Sequence, residues 1–357
     1  MRFKLANRIK NIFKKNIQVI SNYFCKKDLY YIVENADWVV KQIGLNLRNN
    51  LKGVSCAISY TYLGIRNSIV HYGCQYILFE KNKLNLPHKG NKIAVTLYHV
   101  ACDDTYLGLI PQAVKFVDLW HTTCKLTKEK MLRLGIPDNK IVLIPLGITL
   151  KNFPRLDNAA RENIKSRLRL PKNRFIIGSF QKDGVGWGKG LEPKLIKGPD
   201  IFCDAVERLA KKYDIFVLLT GPSRGYVRRR LDKAHIPYSH HYLMSSDDIS
   251  IYYQALDLYL VTSRGEGGPL AVLELLASGV PLIATRVGMA ADIIKDGENG
   301  FIVDIEQTDQ IVAKAARLIE DKDLRDKIIF NGLQDIRLYD SANIAKEYKE
   351  KIVQRLR

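Results

Sequence analysis

The segment from Ser263 to Thr285 contains the residues whose types and spacing best suit chemistry. Two carboxylates, Glu266 and Glu274, lie eight positions apart, with paired glycines and Pro269 between them. The proline suits the first turn of a helix, and such a helix start presents backbone N–H groups and a positive dipole end to an anion. Because one carboxylate can accept hydrogen bonds from two vicinal hydroxyls, the pattern suggests a phosphate site with a sugar on one side and a ribose on the other.

Alternating apolar runs and helical patterns surround this segment. Apolar runs that predict strands in the first half are Leu29–Val33, Val54–Tyr60, Ile93–Tyr98, Phe116–His121 and Lys140–Ile148. Those in the second half are Phe175–Phe180, Ile215–Thr220, Tyr238–Met244, Leu256–Thr262 and Val280–Thr285. Helical patterns cover Val39–Leu51 and begin near Pro199, Ser223, Ser246 and Pro269. This alternation is typical of parallel sheets wrapped by helices.

The chain is long enough for two domains, at 357 residues. A polar stretch from Lys151 to Arg174 interrupts the apolar runs before the same rhythm restarts. We therefore predict a basic amphipathic segment over 1–27, a Rossmann-like domain over 28–165 and a second over 166–339, with a C-terminal helix over 340–357 that packs back on the first domain. Two such domains in tandem place a crevice between the carboxyl ends of two sheets.

Several motifs in the second half share one resemblance. They are Glu266-x7-Glu274 with Gly267, Gly268, Pro269 and Leu270 in between, Ala277-Ser-Gly-Val-Pro281, Thr285-Arg-Val-Gly-Met289 and Asp292–Phe301. Lys140–Ile148, followed by Phe153, adds a further match in the first half. Together they resemble the family 4 retaining glycosyltransferases, or group 1 glycosyltransferases, which have the α/β GT-B architecture of two Rossmann-like domains. The resemblance is specific from about residue 125 to 305.

The resemblance implies transfer of a sugar from a nucleotide-sugar donor to a hydroxyl of a glycan or lipid-linked acceptor, with retention of anomeric configuration. Bacterial cell-surface glycan or glycolipid synthesis is the expected setting. By the same resemblance, Glu266 contacts the donor-sugar hydroxyls and acts in catalysis, the backbone of Gly267–Leu270 meets the diphosphate, and Glu274 holds the ribose. Two alternatives stay open: a nucleotide-sugar epimerase of similar fold, and a non-catalytic protein that binds sugar or nucleic acid.

The family also brings a basic pair to the diphosphate. Lys197, which precedes Gly198, matches the expected lysine. The expected arginine is absent, since Ser179 follows the strand and Lys182 is the nearest cation, so Lys182 either substitutes or the contact is missing. A glycine-rich insertion, 183–190, separates the two lysines and fits neither phosphate-loop template. We expect it to be a flexible loop that closes over the donor, with Trp187 as a stacking surface.

In the first domain, His99 follows a predicted strand in the sequence Tyr98-His-Val-Ala-Cys-Asp-Asp104. The resemblance implies that a histidine here meets the acceptor or the reacting sugar, so His99 is the second catalytic candidate. His71 is an alternative candidate, and the loop over 35–38 is a further possible acceptor contact.

No metal or cofactor is expected. Asp321-Lys-Asp323 has the D-x-D pattern of metal-dependent transferases, but it lies in a charged stretch that suits a solvated helix start. The six cysteines form no C-x-x-C pair, which favours reduced thiols in a cytosolic protein.

The formal net charge of +19 is concentrated near the N-terminus: the first 27 residues hold eight Lys or Arg and no Asp or Glu. On a helical projection, seven apolar residues share one arc: Leu5, Ile9, Ile12, Phe13, Ile17, Ile20 and Phe24. An apolar stripe flanked by lysines suits an acidic membrane surface, whereas a helix docked on the protein's own core is the alternative. Because no nucleic-acid motif occurs, nucleic acid is not an expected partner. We expect a cytoplasmic protein on the inner face of a membrane.

Overall fold

The computed structural model describes residues 15–34, 39–80, 83–100, 104–243, 245 and 248–357. The chain forms two compact units, Met1–Ile148 with Tyr339–Arg357, and Thr149–Leu338. Each unit contains one six-stranded sheet in which every neighbouring pair of strands is parallel. The prediction of an α/β protein with two Rossmann-like parallel sheets is confirmed.

The sheet of the first unit has the order β2-β1-β3-β6-β7-β8. Its strands are β1 (Leu29–Ile32), β2 (Cys56–Ser59), β3 (Ile69–Tyr72), β6 (Lys92–Thr96), β7 (Leu119–Thr122) and β8 (Ile141–Leu143). A separate hairpin pairs β4 (Phe79–Glu80) with β5 (Lys83–Leu84). The helices of this part are α1 (15–24), α2 (Val39–Asn50), α3 (Gln75–Leu78), α4 (Ile110–Ala113) and α5 (Lys125–Arg133). Of the six sheet strands, β3 is the one that the apolar runs did not predict, because its four residues include a histidine.

The C-terminus belongs to the first unit. Helix α14 (Ser341–Tyr348) continues as a π-helix (Lys349–Val353) and a last turn, α15 (Gln354–Leu356). Buried side chains of this segment, such as Tyr348 and Ile352, share a core cluster with Leu29 and Tyr31 of β1. The C-terminal segment therefore covers one face of the first sheet.

The sheet of the second unit has the order β11-β10-β9-β12-β13-β14. Its strands are β9 (Phe175–Ser179), β10 (Ile215–Thr220), β11 (Tyr238–His241), β12 (Leu258–Val261), β13 (Leu282–Thr285) and β14 (Phe301–Val303). The helices are α6 (Asn158–Arg167), α7 (Pro199–Leu209), α8 (Gly225–Lys233), α9 (Ile249–Gln254), α10 (Leu270–Ser278), α11 (Ala290–Ile293), α12 (Thr308–Glu320) and α13 (Lys322–Asp335). The apolar runs did not predict β14, which is three residues long.

The boundary between the units differs from the expected one at 165/166. Helix α6 lies in the second unit, because Arg161 donates hydrogen bonds to the carbonyl oxygens of Gln254 (2.9 Å) and Leu256 (2.7 Å). Lys165 adds an ion pair of 3.4 Å to Asp257. The polar composition of 151–174 resembled a linker, but part of it is a helix that covers the second unit.

Helix α1 contacts the first unit through a buried polar residue. The amide of Asn22 donates to the carbonyl oxygens of Thr61 (3.1 Å) and Leu63 (3.0 Å). On this helix, the apolar side chains of Ile17 and Phe24 are 52% and 77% exposed. The predicted apolar arc thus faces solvent wherever it is described, and its part before residue 15 lies outside the described residues. Among the residues described, no helix has the length and apolar character needed to cross a membrane.

Candidate functional site

The strand order of the second unit reverses direction between β9 and β12, which are neighbours in the sheet. In open parallel sheets, ligands bind outside the carboxyl ends of the strands at such a switch point. Gln181 follows β9 and Ser263 follows β12, and the Ser263 hydroxyl lies 3.2 Å from Oε1 of Gln181. The strand order therefore points to the segment from Ser263 to Thr285, which the sequence motif also indicates, and it does so independently of that motif.

Lys197 and Glu266 meet at this switch point. Nζ of Lys197 lies 2.5 Å from Oε1 of Glu266, and the Ser263 hydroxyl donates to the same oxygen at 2.9 Å. The Gln181 amide donates to the Lys197 carbonyl at 2.6 Å. Because the Lys197 and Glu266 side chains are 25% and 16% exposed, they are fixed by neighbours but still accessible to a ligand.

Close backbone packing sets the position of Lys197. Gly198 has a φ of +62°, and a Cβ on it would lie 1.9 Å from the carbonyl oxygen of Thr262. The Thr262 hydroxyl donates to the Gly198 carbonyl at 2.8 Å, and α7 begins at Pro199. Only glycine combines this conformation with this approach, so the chain can turn beside β12 with Lys197 at the turn.

Helix α10 begins at Leu270, with Pro269 as its N-cap and Gly279 as its C-cap. The sequence predicted Pro269 in the first turn of the helix, but it lies one position before the first helical residue. The N–H groups of a first turn have no intrahelical partner and lie at the positive end of the helix dipole. Residues 267–270 thus lead into a helix end that suits an anion, next to Glu266.

Glu274 lies inside α10 and is largely buried. The Tyr253 hydroxyl donates to Oε2 of Glu274 at 2.8 Å. Burial raises the pKa of Glu274 to about 7, and the hydrogen bond from Tyr253 opposes that shift. The Glu274 carboxyl therefore changes its charge close to neutral pH. Tyr253 could not be selected from the sequence, because it carries no motif and lies 21 positions away.

Ser179, where the family arginine was expected, contacts a different arginine. Arg224 donates to the carbonyl oxygen (2.5 Å) and the hydroxyl (3.1 Å) of Ser179 and forms an ion pair of 3.0 Å with Asp183. The side chains of Arg224 and Asp183 are fully buried. Arg224 therefore supports the end of β9 from within the unit and does not present its guanidinium to a ligand.

The glycine-rich insertion is built into the second unit, which differs from the flexible loop that we expected. The N–H groups of Gly225 and Tyr226 donate to the carbonyl oxygens of Lys189 and Gly190, both at 2.8 Å. The Ser223 hydroxyl lies 3.0 Å from the carbonyl oxygens of Gly186 and Gly188. These bonds involve residues more than 30 positions away, so the local composition of the insertion could not reveal them.

The tip of the insertion carries Trp187, which is 77% exposed. Nζ of Lys182 lies 4.3 Å from the centroid of its ring, a cation–π contact. Trp187 is thus in contact with the very lysine proposed to replace the missing arginine.

In the first unit, the side chain of His99 is exposed and Nε2 lies 3.3 Å from the Tyr76 hydroxyl. The same hydroxyl donates to Asp104 at 3.1 Å. The carbonyl oxygen of His99 accepts from the Gln75 amide and the Tyr106 hydroxyl, each at 3.2 Å. His99 is thus accessible and its backbone is held in place.

His71 is fully buried and does not suit a catalytic role. Nε2 of His121 donates to the Ile144 carbonyl (2.9 Å), so its Nδ1 accepts from the Thr96 hydroxyl (2.9 Å). The Thr96 oxygen in turn accepts from Nε2 of His71 (2.7 Å), and Nδ1 of His71 accepts from the Tyr348 hydroxyl. This chain of hydrogen bonds links three strands to α14 and requires both histidines to be neutral. The loop over 35–38 lies outside the described residues.

Asp321 is the N-cap of α13 and accepts a hydrogen bond from the Leu324 N–H at 2.9 Å. The prediction that Asp321-Lys-Asp323 lies at the start of a solvated helix is confirmed. Within the described ranges, no group of three or more His, Cys, Asp or Glu side chains could hold a metal ion.

Residues 190–335 match the family model for group 1 glycosyl transferases. The chain is 26% identical over 223 residues to the N,N'-diacetylbacillosaminyl-diphospho-undecaprenol alpha-1,3-N-acetylgalactosaminyltransferase of Campylobacter jejuni, an alignment that covers 62% of this chain and 56% of that enzyme. It is 29% identical over 211 residues to the lipopolysaccharide core biosynthesis mannosyltransferase LpsB of Rhizobium meliloti, covering 56% of each chain. The chain thus spans just over half the length of these two relatives.

Two solved structures show the same fold. Anabaena Alr3699/HepE, in complex with UDP and glucose, superposes with a TM-score of 0.72 at 14% identity, covering 92% of this chain and 99% of that one. Sucrose-phosphate synthase from Thermosynechococcus elongatus gives 0.68 at 16% identity, with 92% and 99% coverage. The fold is that of the GT-B glycosyltransferases, and residues 190–335 carry the sequence pattern of the group 1 family.

Proposed function

We propose that this chain is a glycosyltransferase that moves a sugar from a nucleotide-sugar donor to a hydroxyl of a glycan or lipid-linked acceptor. The observation that carries the proposal is the contact between Lys197 and Glu266 at the β9/β12 switch point, beside the start of α10. The Campylobacter and Rhizobium relatives act on a diphospho-undecaprenol-linked sugar and in lipopolysaccharide core synthesis, which supports a cell-surface glycan or glycolipid as product.

In the reaction, the bond between the anomeric carbon and the donor diphosphate breaks, and the diphosphate leaves with the electron pair. The acceptor oxygen forms the new bond to that carbon, and its proton passes to an oxygen of the leaving diphosphate. Lys197 and the start of α10 stabilise the charge that develops on the leaving diphosphate. Glu266 accepts hydrogen bonds from the sugar hydroxyls, Glu274 accepts them from the ribose, and Lys182 is the second cation. This charge stabilisation requires no metal ion.

His99 is the proposed acceptor-side residue, because it is exposed and its backbone is held by Gln75 and Tyr106. Retention of anomeric configuration is proposed from the resemblance of the Glu266-x7-Glu274 segment to retaining enzymes. The configuration of the product can be read directly from the coupling constant of its anomeric proton.

We also propose that the protein works on the inner, cytoplasmic face of a membrane through residues 1–27. The apolar side chains of Ile17, Ile20 and Phe24 on α1 support this, since more than half of the surface of each is exposed. Lys15, Lys26 and Lys27 flank them with positive charge. Apolar side chains bordered by lysines suit the boundary between lipid headgroups and acyl chains.

The proposal is tested by turnover. Purified protein is incubated with a panel of nucleotide sugars and with lipid extracts as acceptors, and labelled product is measured. We expect wild type to transfer from one donor, and Glu266→Gln and Lys197→Ala to lose at least 100-fold in kcat/KM. A surface variant in the turn after α7, Lys211→Ala, should retain full activity. If both site variants kept the wild-type rate, the site assignment would be wrong.

A further inference from the structure

Two lysines flank the glycine-rich insertion: Lys182 directly precedes it, and Lys194 lies four positions after its last residue, Gly190. Val185 donates to the Glu192 carbonyl at 2.9 Å, and Lys194 donates through its backbone N–H to the Asp183 carbonyl at 2.7 Å. These two hydrogen bonds fold residues 183–194 into a hairpin-like loop, which we call the strap. They place Lys194 next to Asp183, the residue that follows Lys182.

Lys194 is also one short turn from Lys197. The Lys197 N–H donates to the Lys194 carbonyl at 2.8 Å, within the 3-10 turn Leu195–Lys197. Lys182 and Lys194 lie at the two ends of the strap, and Lys197 lies one turn beyond Lys194. The three lysines therefore lie on adjoining segments of the backbone. The buried Asp183–Arg224 ion pair fixes the base of the strap.

The electrostatics agree with this arrangement. The pKa of Lys194 lies below its usual value, first because of partial burial and then because of the positive charges of Lys197 and Lys182, whereas Glu266 raises it. The Lys194 ammonium is thus close enough to Lys182, Lys197 and Glu266 to be affected by the charge of each. Like charges repel unless an anion neutralises them, and the excess of two positive charges equals the two negative charges of a sugar-linked diphosphate.

We propose that Lys194 is a further diphosphate-binding residue, so that the strap and the turn receive the donor with three ammonium groups: Lys182, Lys194 and Lys197. Trp187 is a positioning residue in this arrangement. Its ring holds the Lys182 ammonium through the cation–π contact and so limits the positions that this flexible side chain can take. This inference rests on the proposed donor site and adds to it a residue that the sequence pattern did not select.

The test measures binding of inorganic diphosphate by titration calorimetry, without any acceptor or sugar. We expect Lys194→Gln and Lys197→Gln each to weaken binding at least fivefold relative to wild type. Lys189→Gln, an exposed lysine on the same strap, is the matched control and should change binding less than twofold. Removal of a repelling charge should leave the Tm of Lys194→Gln equal to or above that of wild type.

The role of Trp187 is tested by a double-mutant cycle. Trp187→Ala should weaken diphosphate binding less than Lys182→Gln does, and it should add nothing to the effect of Lys182→Gln in the double variant. Fully additive effects would show that Trp187 does not act through Lys182.

The outcomes separate this inference from the proposed function. If Lys197→Gln lost binding and turnover while Lys194→Gln behaved like Lys189→Gln, the third ammonium would be refuted and the glycosyltransferase proposal would stand. If diphosphate binding required all three lysines but no donor were ever turned over, the binding site would stand and the proposed reaction would fail. A wild type that bound no diphosphate would overturn the inference.

Discussion

The hydroxyl of Tyr253 donates a hydrogen bond of 2.8 Å to Oε2 of Glu274, the carboxylate proposed to hold the donor ribose. Burial raises the pKa of Glu274 to about 7, and Tyr253 keeps it from rising further. A protonated Glu274 has lost part of its capacity to accept hydrogen bonds from ribose hydroxyls. The contact therefore connects a side chain outside the sequence motif to the pH range in which the donor can bind.

We predict that donor affinity falls as the pH decreases through about 7, because Glu274 takes up a proton. KM for the donor between pH 6 and 8.5 measures this. In Tyr253→Phe the pKa of Glu274 should be higher, so that the loss of affinity begins at a higher pH. Identical pH profiles for wild type and Tyr253→Phe would contradict this role of Tyr253.

The Glu274 carboxyl has the opposite effect on stability: the free energy of unfolding decreases as the pH rises. Its native pKa lies above the usual value of 4.5, so the native protein holds a proton that the unfolded chain releases between those two values. Above pH 7, Glu274→Gln should increase the free energy of unfolding, by on the order of 1–3 kcal/mol. Urea denaturation at pH 8 provides the measurement, and a destabilised Glu274→Gln would be the contrary result.

Gly198→Ala should strongly destabilise the second unit. The new Cβ would lie 1.9 Å from the Thr262 carbonyl oxygen at a φ of +62°. Gly186 is the matched control, since its φ is +72° but nothing lies within 4 Å of its Cβ position. We expect losses of about 3 kcal/mol or more for Gly198→Ala and about 1 kcal/mol for Gly186→Ala by thermal or urea unfolding. Equal losses of stability in the two variants would show that the left-handed backbone conformation, and not the close contact with Thr262, determines the effect of Gly198→Ala.

The buried histidines of the first unit should stay neutral in mild acid. Burial lowers the pKa of His121 to about 4 and that of His71 well below its usual value. In an NMR titration from pH 8 to 5, we expect the ring signals of these two histidines to remain constant. Because the unfolded chain takes up these protons near pH 6.5, this pair makes the first unit less stable as the pH falls below that value. Titration of His121 near pH 6.5 would disprove the hydrogen-bond chain.

Helix α1 should bind acidic lipid through its exposed side chains. We expect wild type to sediment with vesicles of phosphatidylglycerol and phosphatidylcholine, and a variant with Ile17→Glu, Ile20→Glu and Phe24→Glu to remain in the supernatant with an unchanged Tm. Phe330→Glu, which alters an exposed apolar side chain on α13, is the control and should sediment normally. Equal sedimentation of all three proteins would argue against a membrane role for this helix.

Local patterns were sufficient for most of the strands and for the strand, loop and helix that carry Glu266 and Glu274, because each lies within one continuous stretch of sequence. They failed where the decisive contact is distant. Polar residues 151–174 resembled a linker, yet Arg161 of α6 bonds to carbonyl oxygens of the second unit nearly 100 positions away. His71 looked like a candidate for catalysis until its neighbours on β6, β7 and α14 were known.

The insertion shows the same limit at the candidate site. Its glycines indicated mobility, whereas Ser223, Gly225 and Tyr226 hold it through hydrogen bonds. Neither Lys194 nor Tyr253 belongs to a sequence motif. Their proposed roles follow only from the residues that surround them in the structure.

Binding of a nucleoside diphosphate at the β9/β12 switch point of the second unit is the property on which the proposed function depends. Its most direct test is calorimetric titration of wild type and Lys197→Ala with the uridine, guanosine and adenosine diphosphates. We expect one of them to bind wild type and Lys197→Ala to weaken this binding at least tenfold. Binding of equal strength to Lys197→Ala, or no binding of any of the three to wild type, would contradict it.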